Sequence, residues 1–308
     1  MVCTVYRAPH HVTGFWIPLK DRDPYSTGSL GVGILLEPGM IAYDKPVDSC
    51  IVEVGDICLD KGPVEVITRE RRVAHGLYIR SSVPPGVGGA VSAFTALAVS
   101  CEALRAEGRG CRSREDLLEA SRIAHRAEVL ALTGLGDVIA MITGGGLVMR
   151  LKPGAPGIGC AIAIRDPALK SVEFTLAQID RQITTADVLK GLWEKIYRYG
   201  KEAYREFEKD PSLESFIELS HRFSQEVGFL DRDLKSSLDE TLTPYRGKGY
   251  LLGYYVKKSM LVIAHEKRVG SEIASAVRGI VKRVFGIYRV AYEGFTLDST
   301  ENIPHLGS

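Results

Sequence analysis

The stretch Pro84-Pro85-Gly86-Val87-Gly88-Gly89-Ala90-Val91-Ser92-Ala93 decides how the chain is read. The β-prone run Leu77 to Ser81 precedes it. Behind it, Phe94, Leu97, Ala98, Cys101 and Leu104 recur at i, i+3, i+4 and i+7, which predicts a helix from about Ser92 to Glu107 with one buried face. Gly86 and Gly88 let the backbone turn sharply and come close to a ligand. The helix start then offers free N–H groups and the positive end of its dipole, which suits a phosphate. Ser92 can place a hydroxyl on that phosphate or on its Mg²⁺. The alternative is a tight strand–helix turn packed on its neighbours, and the spacing alone leaves both open. No G-x-x-x-x-G-K-[ST] pattern occurs, and Val91 stands where a dinucleotide fingerprint has its third Gly.

Around this turn, Ser81 to Cys101 carries no charge, yet its two Pro, three Gly and four Ser do not suit a membrane span. The N-terminal stretch MVCTVYRAPHHVTGFW has no apolar signal-like core, so cytoplasm is the expected compartment. The chain has 308 residues, 45% apolar and 25% charged, which excludes a disordered chain. That length predicts two domains sharing an interface. The net charge is +1, with 17 basic and 17 acidic residues in 1–160 and 22 and 21 in the remainder. Nucleic acid and anionic membrane are therefore not expected as main partners. The six cysteines, at 3, 50, 58, 101, 111 and 160, form no C-x-x-C and no zinc pattern, and read as free thiols.

Residues 1–80 read as short strands: Val2 to Ala8, Gly31 to Leu36, Ile51 to Val54, Val64 to Thr68 and Leu77 to Ser81. Ser113 is a candidate N-cap, with Asp116 at N3, for a helix from Arg114 to about Val129. A strand, Leu147 to Leu151, follows Gly144-Gly145-Gly146. After Pro153-Gly154-Ala155-Pro156-Gly157 the composition shifts, and a boundary is placed near residue 165. Residues 184–240 are rich in Glu, Lys and Arg, with helical spacing at Leu189, Leu192, Trp193, Ile196 and Tyr197. A helix Ser271 to Val284 and a strand Gly286 to Tyr292 are expected to close the chain.

A second chemical segment is GLGDVIAMITGGG, residues 134–146. Asp137 sits alone between flexible glycines and an uncharged run. It is either a turn residue bonding its own backbone or a catalytic group. His125 and Glu128 lie three apart on the preceding helix and share a face. Glu128 and Asp137 can divide the labour of phosphoryl transfer, one holding Mg²⁺ and the other orienting or deprotonating a hydroxyl. Arg150 can bind a carboxylate or phosphate bidentately, or cap the sheet edge. The third segment joins APHHVTGFW (8–16) to DPYSTGSLGVGI (23–34). His10 and His11 are adjacent on a strand, point to opposite faces, and so cannot readily chelate one ion. Thr13, Ser26, Thr27 and Ser29 make either a hydroxyl-lined ligand loop or an Asp-Pro turn with solvated hydroxyls.

These three pieces, in this order, resemble the GHMP kinase superfamily and, within it, the archaeal pantoate kinases. Pro84, Gly86, Gly88 and Ser92 fall in register with the superfamily's phosphate loop, and Ala90 replaces its third Gly. Glu128 matches a Mg²⁺-binding Glu, and Asp137 with Gly144-Gly145 matches a catalytic Asp ahead of a Gly-Gly pair. The narrower likeness rests on Pro9, His11, Val12, Thr13, Phe15 and Trp16, then Asp23, Pro24, Gly28, Ser29, Gly31 and Gly33, then Ala124, His125, Ala127, Glu128 and Gly134 through Val138. It covers residues 5–151. His10 departs from it, and the superfamily's third Gly-rich motif is not evident. Tyr255 to Leu261 is where it is sought.

The resemblance implies an α+β, two-domain GHMP kinase fold. A ribosomal-protein-like N-terminal α/β domain (1–165) and a ferredoxin-like C-terminal α+β domain (166–308) would hold the active site between them. It implies ATP-dependent phosphorylation of D-pantoate at its primary hydroxyl, toward coenzyme A. Pro84, Gly86, Val87, Gly88, Gly89, Ala90, Val91 and Ser92 would hold ATP, Ser92 and Glu128 would hold Mg²⁺, and Asp137 would be catalytic. Ser29, His125, Arg150, Thr13 and His11 would bind pantoate. A homodimer is expected by analogy. The rivals are a kinase of the same superfamily for another alcohol, of homoserine or mevalonate type, and a non-enzymatic nucleotide- or RNA-binding module. Of the 32 glycines, 21 lie in residues 1–160, and twelve of those fall in the three proposed site segments.

Overall fold

A computed structural model describes residues 3–180 and 191–300. Leu189 lies outside them. The spine is a pair of long antiparallel strands, β1 (Cys3–Leu19) and β2 (Gly28–Lys45). At 17 and 18 residues they far exceed the usual strand of about 5–6. The pairing register slips between Ala8 and His10 and again between Thr13 and Phe15. Such irregularities re-aim the side chains between them, and these two bracket the segment His10–Thr13.

Next come the short strands β3 (Val52–Val54) and β4 (Ile57–Cys58), then α1 (Pro63–Glu70) and β5 (Gly76–Arg80). Val64 to Thr68 reads as a strand from its β-branched residues but is helical. Pro63 opens the helix, where its missing N–H costs nothing. Val64 and Ile67 bury one face, and Glu65 pairs with Arg69 one turn on. Spacing and the N-terminal Pro outweigh β-propensity here.

The helix after the Gly-rich turn is α2 (Val91–Ala106). It buries every residue from Ala93 to Leu104 and not a single face. Its small side chains let α1 and α3 (Arg114–Leu130) pack closely on it. Ser113 caps α3, its hydroxyl accepting from Asp116 N at 3.0 Å. Asp116 turns to Arg109 and completes no reciprocal box. The short helix α4 (Asp137–Thr143) leads through three glycines of positive φ into β6 (Leu147–Lys152) and β7 (Cys160–Ile164). β2 pairs with β6 along its first half and with β5 along its second, and so serves two cores.

The later chain adds β8 (Val172–Gln178), α5 (Trp193–Phe207), α6 (Leu213–Val227) and α7 (Arg232–Gly247). It closes with the hairpin β9 (Leu251–Lys257) and β10 (Met260–Glu266), α8 (Gly270–Ala276), β11 (Arg283–Val290) and β12 (Thr296–Thr300). The expected helix Ser271 to Val284 is shorter than its pattern. It ends in a 3-10 turn at Gly279, and β11 begins at Arg283, because Gly279 and the β-branched residues after it favour extension. β11 pairs with β2 and β8, and β12 with β1, so the end of the chain returns to the spine.

Two large clusters flank the sheet. One joins α1, α2 and α3 to Tyr6, Met40, Leu77 and Ile79. The other joins α5 and α6 to Phe15, Trp16, Tyr254 and Tyr255, with Trp16 stacked on Phe229. The reading of all cysteines as free thiols is overturned. The β3–β4 hairpin brings Cys50 to Cys58, and the turn after α2 brings Cys101 to Cys111, both as disulfides with Cα separations of 5.9 and 5.6 Å. Cys160 is a free, exposed thiol. Among the described residues, no helix is long and apolar enough to cross a membrane.

Candidate active site

Two adjoining cavities meet at Thr133, Asp137, Lys257 and Lys258. The first is walled by Thr13, Trp16, Ser29, the turn Thr133–Asp137 and Arg150. The second is walled by the Gly-rich turn, through Gly86, Gly88, Ala90, Ser92 and Thr95, with Lys61 and Gly62 opposite.

The Gly-rich turn is shaped by left-handed backbone. Gly86 has φ +84° and Gly88 +131°, and Ala90, the N-cap of α2, has φ +59°. Ala90 therefore accepts the conformation that its methyl disfavours. The turn is braced from both sides. His10 Nδ1 donates to Gly89 O at 3.0 Å, and Ser259 Oγ donates to Val87 O at 3.4 Å. Val87 is buried in the core, and Pro84 precedes the cavity wall without lining it.

Asp137 opens α4 at the junction of the cavities. Burial works to raise its carboxyl, but Lys257, His11 and Arg150 outweigh it and hold the group well below the usual carboxylate range. His11 Nδ1 lies 2.6 Å from Asp137 Oδ1, and Lys257 Nζ lies 3.7 Å from the same oxygen. Burial lowers His11 to about 4, so at neutral pH the ring is uncharged and donates its Nδ1–H. His11 is fully buried and lines neither cavity. The expectation that it touches substrate gives way to a place behind Asp137.

Glu128 is buried on α3. Thr133 Oγ donates to its Oε1 at 2.6 Å, while Oε2 has no partner. Burial pushes the carboxyl up to about 7, against the Thr133 hydrogen bond and with the charge of Asp137. Gly134 makes the space between the two carboxylates. A methyl there would stand 2.2 Å from Glu128 Oε2 and 3.3 Å from Asp137 Oδ2. A buried carboxylate oxygen without a partner, beside a second carboxylate and the Ser92 hydroxyl, is a donor set fitted to a hard divalent cation.

Arg150 sits on β6 opposite Gly31 and is 2% exposed. Burial pushes its pKa down to about 10, so it remains a cation. Its Nε and Nη1 have no hydrogen-bond partner. Glycines make its room. A methyl on Gly136 would meet Arg150 Nε at 2.6 Å and Ser29 Oγ at 2.8 Å. A buried guanidinium with open donors, next to a hydroxyl in a cavity, is a receptor for a carboxylate.

Thr13, Ser29, Arg150 and Asp137 are thus brought together as the sequence suggests. His125 is not. Its Nε2 donates to Thr27 O at 2.8 Å, the ring is buried, and it lines neither cavity, so it ties α3 to the turn before β2. In that turn Ser26 Oγ bonds Asp23 and Thr27 Oγ bonds the Asp21 backbone. Those hydroxyls build an Asp-Pro turn, and only Ser29 reaches the cavity. Lys257, Lys258 and Lys61 were not foreseen. The signal lay in Lys257-Lys258-Ser259, a charged interruption between two apolar strands, where a Gly-rich motif was sought.

No family model matches the chain. It is 29% identical to the pantoate kinase of Methanocaldococcus jannaschii over 244 residues, covering 76% of this chain and 84% of that one. It is 28% identical to the pantoate kinase of Thermococcus kodakarensis over 251 residues, covering 76% and 80%. Its fold matches a phosphotransferase related to the CoA biosynthesis pathway with a TM-score of 0.78 at 21% identity, over 97% of this chain and 100% of that one. It matches the mevalonate-3-kinase of Thermoplasma acidophilum at 0.65 and 13%, over 97% and 99%. A complex of MDDEF with MVAPP, AMPPCP and magnesium matches at 0.61 and 11%, over 97% and 99%. The chain is thus similar in sequence to these pantoate kinases and shares the fold of these solved phosphotransferase and kinase structures.

Proposed function

We propose that the protein is a small-molecule kinase that transfers the γ-phosphoryl group of ATP to the primary hydroxyl of D-pantoate, giving 4-phosphopantoate on the way to coenzyme A. The observation that carries this reading is Arg150, a buried cation with two open donors, in the same cavity as Asp137. Pantoate presents a carboxylate and a hydroxyl that such a pair can hold at once. The homology to two pantoate kinases supplies the acceptor's identity.

In this reading Arg150 takes the pantoate carboxylate, and Ser29 and Thr13 bond its polar groups. The turn Gly86–Ser92 and the start of α2 hold the ATP phosphates. Glu128 and Ser92 would hold Mg²⁺, which offsets phosphate charge when bound. The pantoate hydroxyl oxygen bonds to the γ-phosphorus, the bond from that phosphorus to the β,γ-bridging oxygen breaks, and ADP leaves. The hydroxyl proton passes to Asp137. Because Asp137 is strongly ionised, it serves by orienting the hydroxyl and takes the proton late, as the O–P bond forms. Residues 1–165 and 166–308 are read as two domains, a division that draws on the site taking its lysine turn from the later part of the chain.

The test is ADP release with ATP, Mg²⁺ and a panel of hydroxy acids. Stimulation by pantoate above mevalonate and homoserine is expected. Stimulation by one of those and not by pantoate would transfer the assignment to that acceptor.

A further inference from the structure

Lys257 is the buried lysine that borders both cavities and belongs to no group so far given a role. It ends β9 and enters the turn to β10, and that turn rests on the Gly-rich loop. A methyl on Gly88 would meet Lys257 O at 3.1 Å, and Ser259 Oγ bonds Val87 O. The backbone of Lys257 is thereby fixed to the element that would hold the donor's phosphates. Its ammonium group, 3.7 Å from Asp137 Oδ1, is fixed to the element that would orient the acceptor's hydroxyl. Lys258 borders both cavities as well, but its side chain is less buried than that of Lys257. Arg150 lines only the first cavity, and Lys61 only the second.

We propose that Lys257 contacts the phosphoryl group in flight, so that its charge acts on the oxygens of the transferring group and not on bound ATP or bound pantoate alone. The proposal rests on the kinase reading above. It follows from position: a group leaving the second cavity for the first must pass the junction, where the buried ammonium of Lys257 stands beside Asp137. A cation aimed at charge that spreads during transfer is worth most in that state. Asp137 keeps the lysine in place before substrates arrive, and burial, which lowers the ammonium's pKa, is countered by that same carboxylate.

The experiment compares wild-type protein with Lys257→Met, which keeps the stem and removes the charge, and Lys257→Arg, which keeps the charge. Three quantities are measured: kcat with ATP and pantoate, the affinities for ADP and for pantoate separately, and trapping of ADP with aluminium fluoride and pantoate. Lys257→Met is expected to lose roughly 10²–10³ in kcat and the tight trapping, while binding ADP and pantoate within about threefold of wild type. Lys257→Arg is expected to recover part of both. A merely structural role would weaken ADP or pantoate binding along with kcat, or spare the trapping, and either result overturns the inference. Wild-type turnover in Lys257→Met also overturns it, leaving the kinase reading intact. Absence of pantoate-dependent ADP release by the wild-type protein overturns the acceptor and this inference together.

Discussion

His11 Nδ1 stands 2.6 Å from Asp137 Oδ1, joining the irregular stretch of β1 to the carboxylate at the head of α4. His11 Nε2 has no partner, and Gly33 leaves it room, since a methyl there would stand 2.3 Å away. The ring gives a neutral donor to Asp137. Removing it in His11→Phe should lower kcat by roughly 10–100-fold, the worth of a buried hydrogen bond to a charged group. The affinity for ATP should not change. His11→Asn, whose amide nitrogen can take the place of Nδ1, should retain much of the activity. Steady-state kinetics on the two variants check this, and equal losses in both would contradict the donor role.

Asp137→Asn removes the charge that balances Lys257 and Arg150 as well as the proton acceptor. kcat should fall roughly 10²–10⁴-fold, with ATP binding little changed. Isothermal titration with a non-hydrolysable ATP analogue separates the two effects. Unaltered turnover would remove Asp137 from the chemistry.

Arg150→Ala should raise the pantoate KM about 10–100-fold and leave kcat within a few-fold, because the guanidinium binds the same carboxylate throughout the reaction. Arg150→Lys should restore little, since a point charge cannot supply the planar fork that the glycine-lined slot accommodates. A fall in kcat at unchanged KM would contradict this role.

Gly134→Ala places a methyl against Glu128 Oε2 and must displace that carboxylate. The Mg²⁺ concentration for half-maximal activity should rise roughly 10–100-fold, while the pantoate KM holds. Titration of activity with Mg²⁺ reads it directly, and an unchanged requirement would separate Glu128 from the metal.

His10 and His11 are both held by burial at about 4, below the usual 6.5. Below 6.5 the unfolded chain binds protons that the folded one refuses. The stability is therefore whole above about 6.5 and is lost as the pH falls toward 4. The loss approaches roughly 3 kcal/mol for each histidine. Thermal melts from pH 7.5 to 4.5 should show Tm falling through this window. His10→Phe should lessen the slope, and an equal slope in both proteins would contradict the burial of a neutral ring.

Much of this site was legible because glycine, carboxylate and hydroxyl stood in short segments whose local geometry is strong. Gly86, Gly88 and the apolar helix behind them announced the turn, and Asp137 was conspicuous as the lone charge before an apolar run. What failed depended on contacts distant in sequence. His125 is consumed by the backbone of Thr27, almost a hundred residues earlier, and His11 by Asp137, far along the chain. Lys257 enters through the return of the β9–β10 hairpin to the Gly-rich loop, which no local pattern encodes. The disulfides are local, 8 and 10 residues apart, and escaped because cysteine spacing alone does not show that a hairpin and a helix–turn bring the thiols together. In α1 the local signal itself misled, because Val64 and Ile67 favour strands while their spacing serves a helix.

The most direct test of the account follows the phosphoryl group. The protein is incubated with Mg²⁺, pantoate and ATP carrying ¹⁸O on its γ-phosphate, and the products are analysed by mass spectrometry and ³¹P NMR. The account predicts labelled phosphate bonded to the primary hydroxyl oxygen of pantoate, formed in step with ADP and lost in Asp137→Asn. Labelled inorganic phosphate alone, with pantoate recovered unmodified, would contradict it.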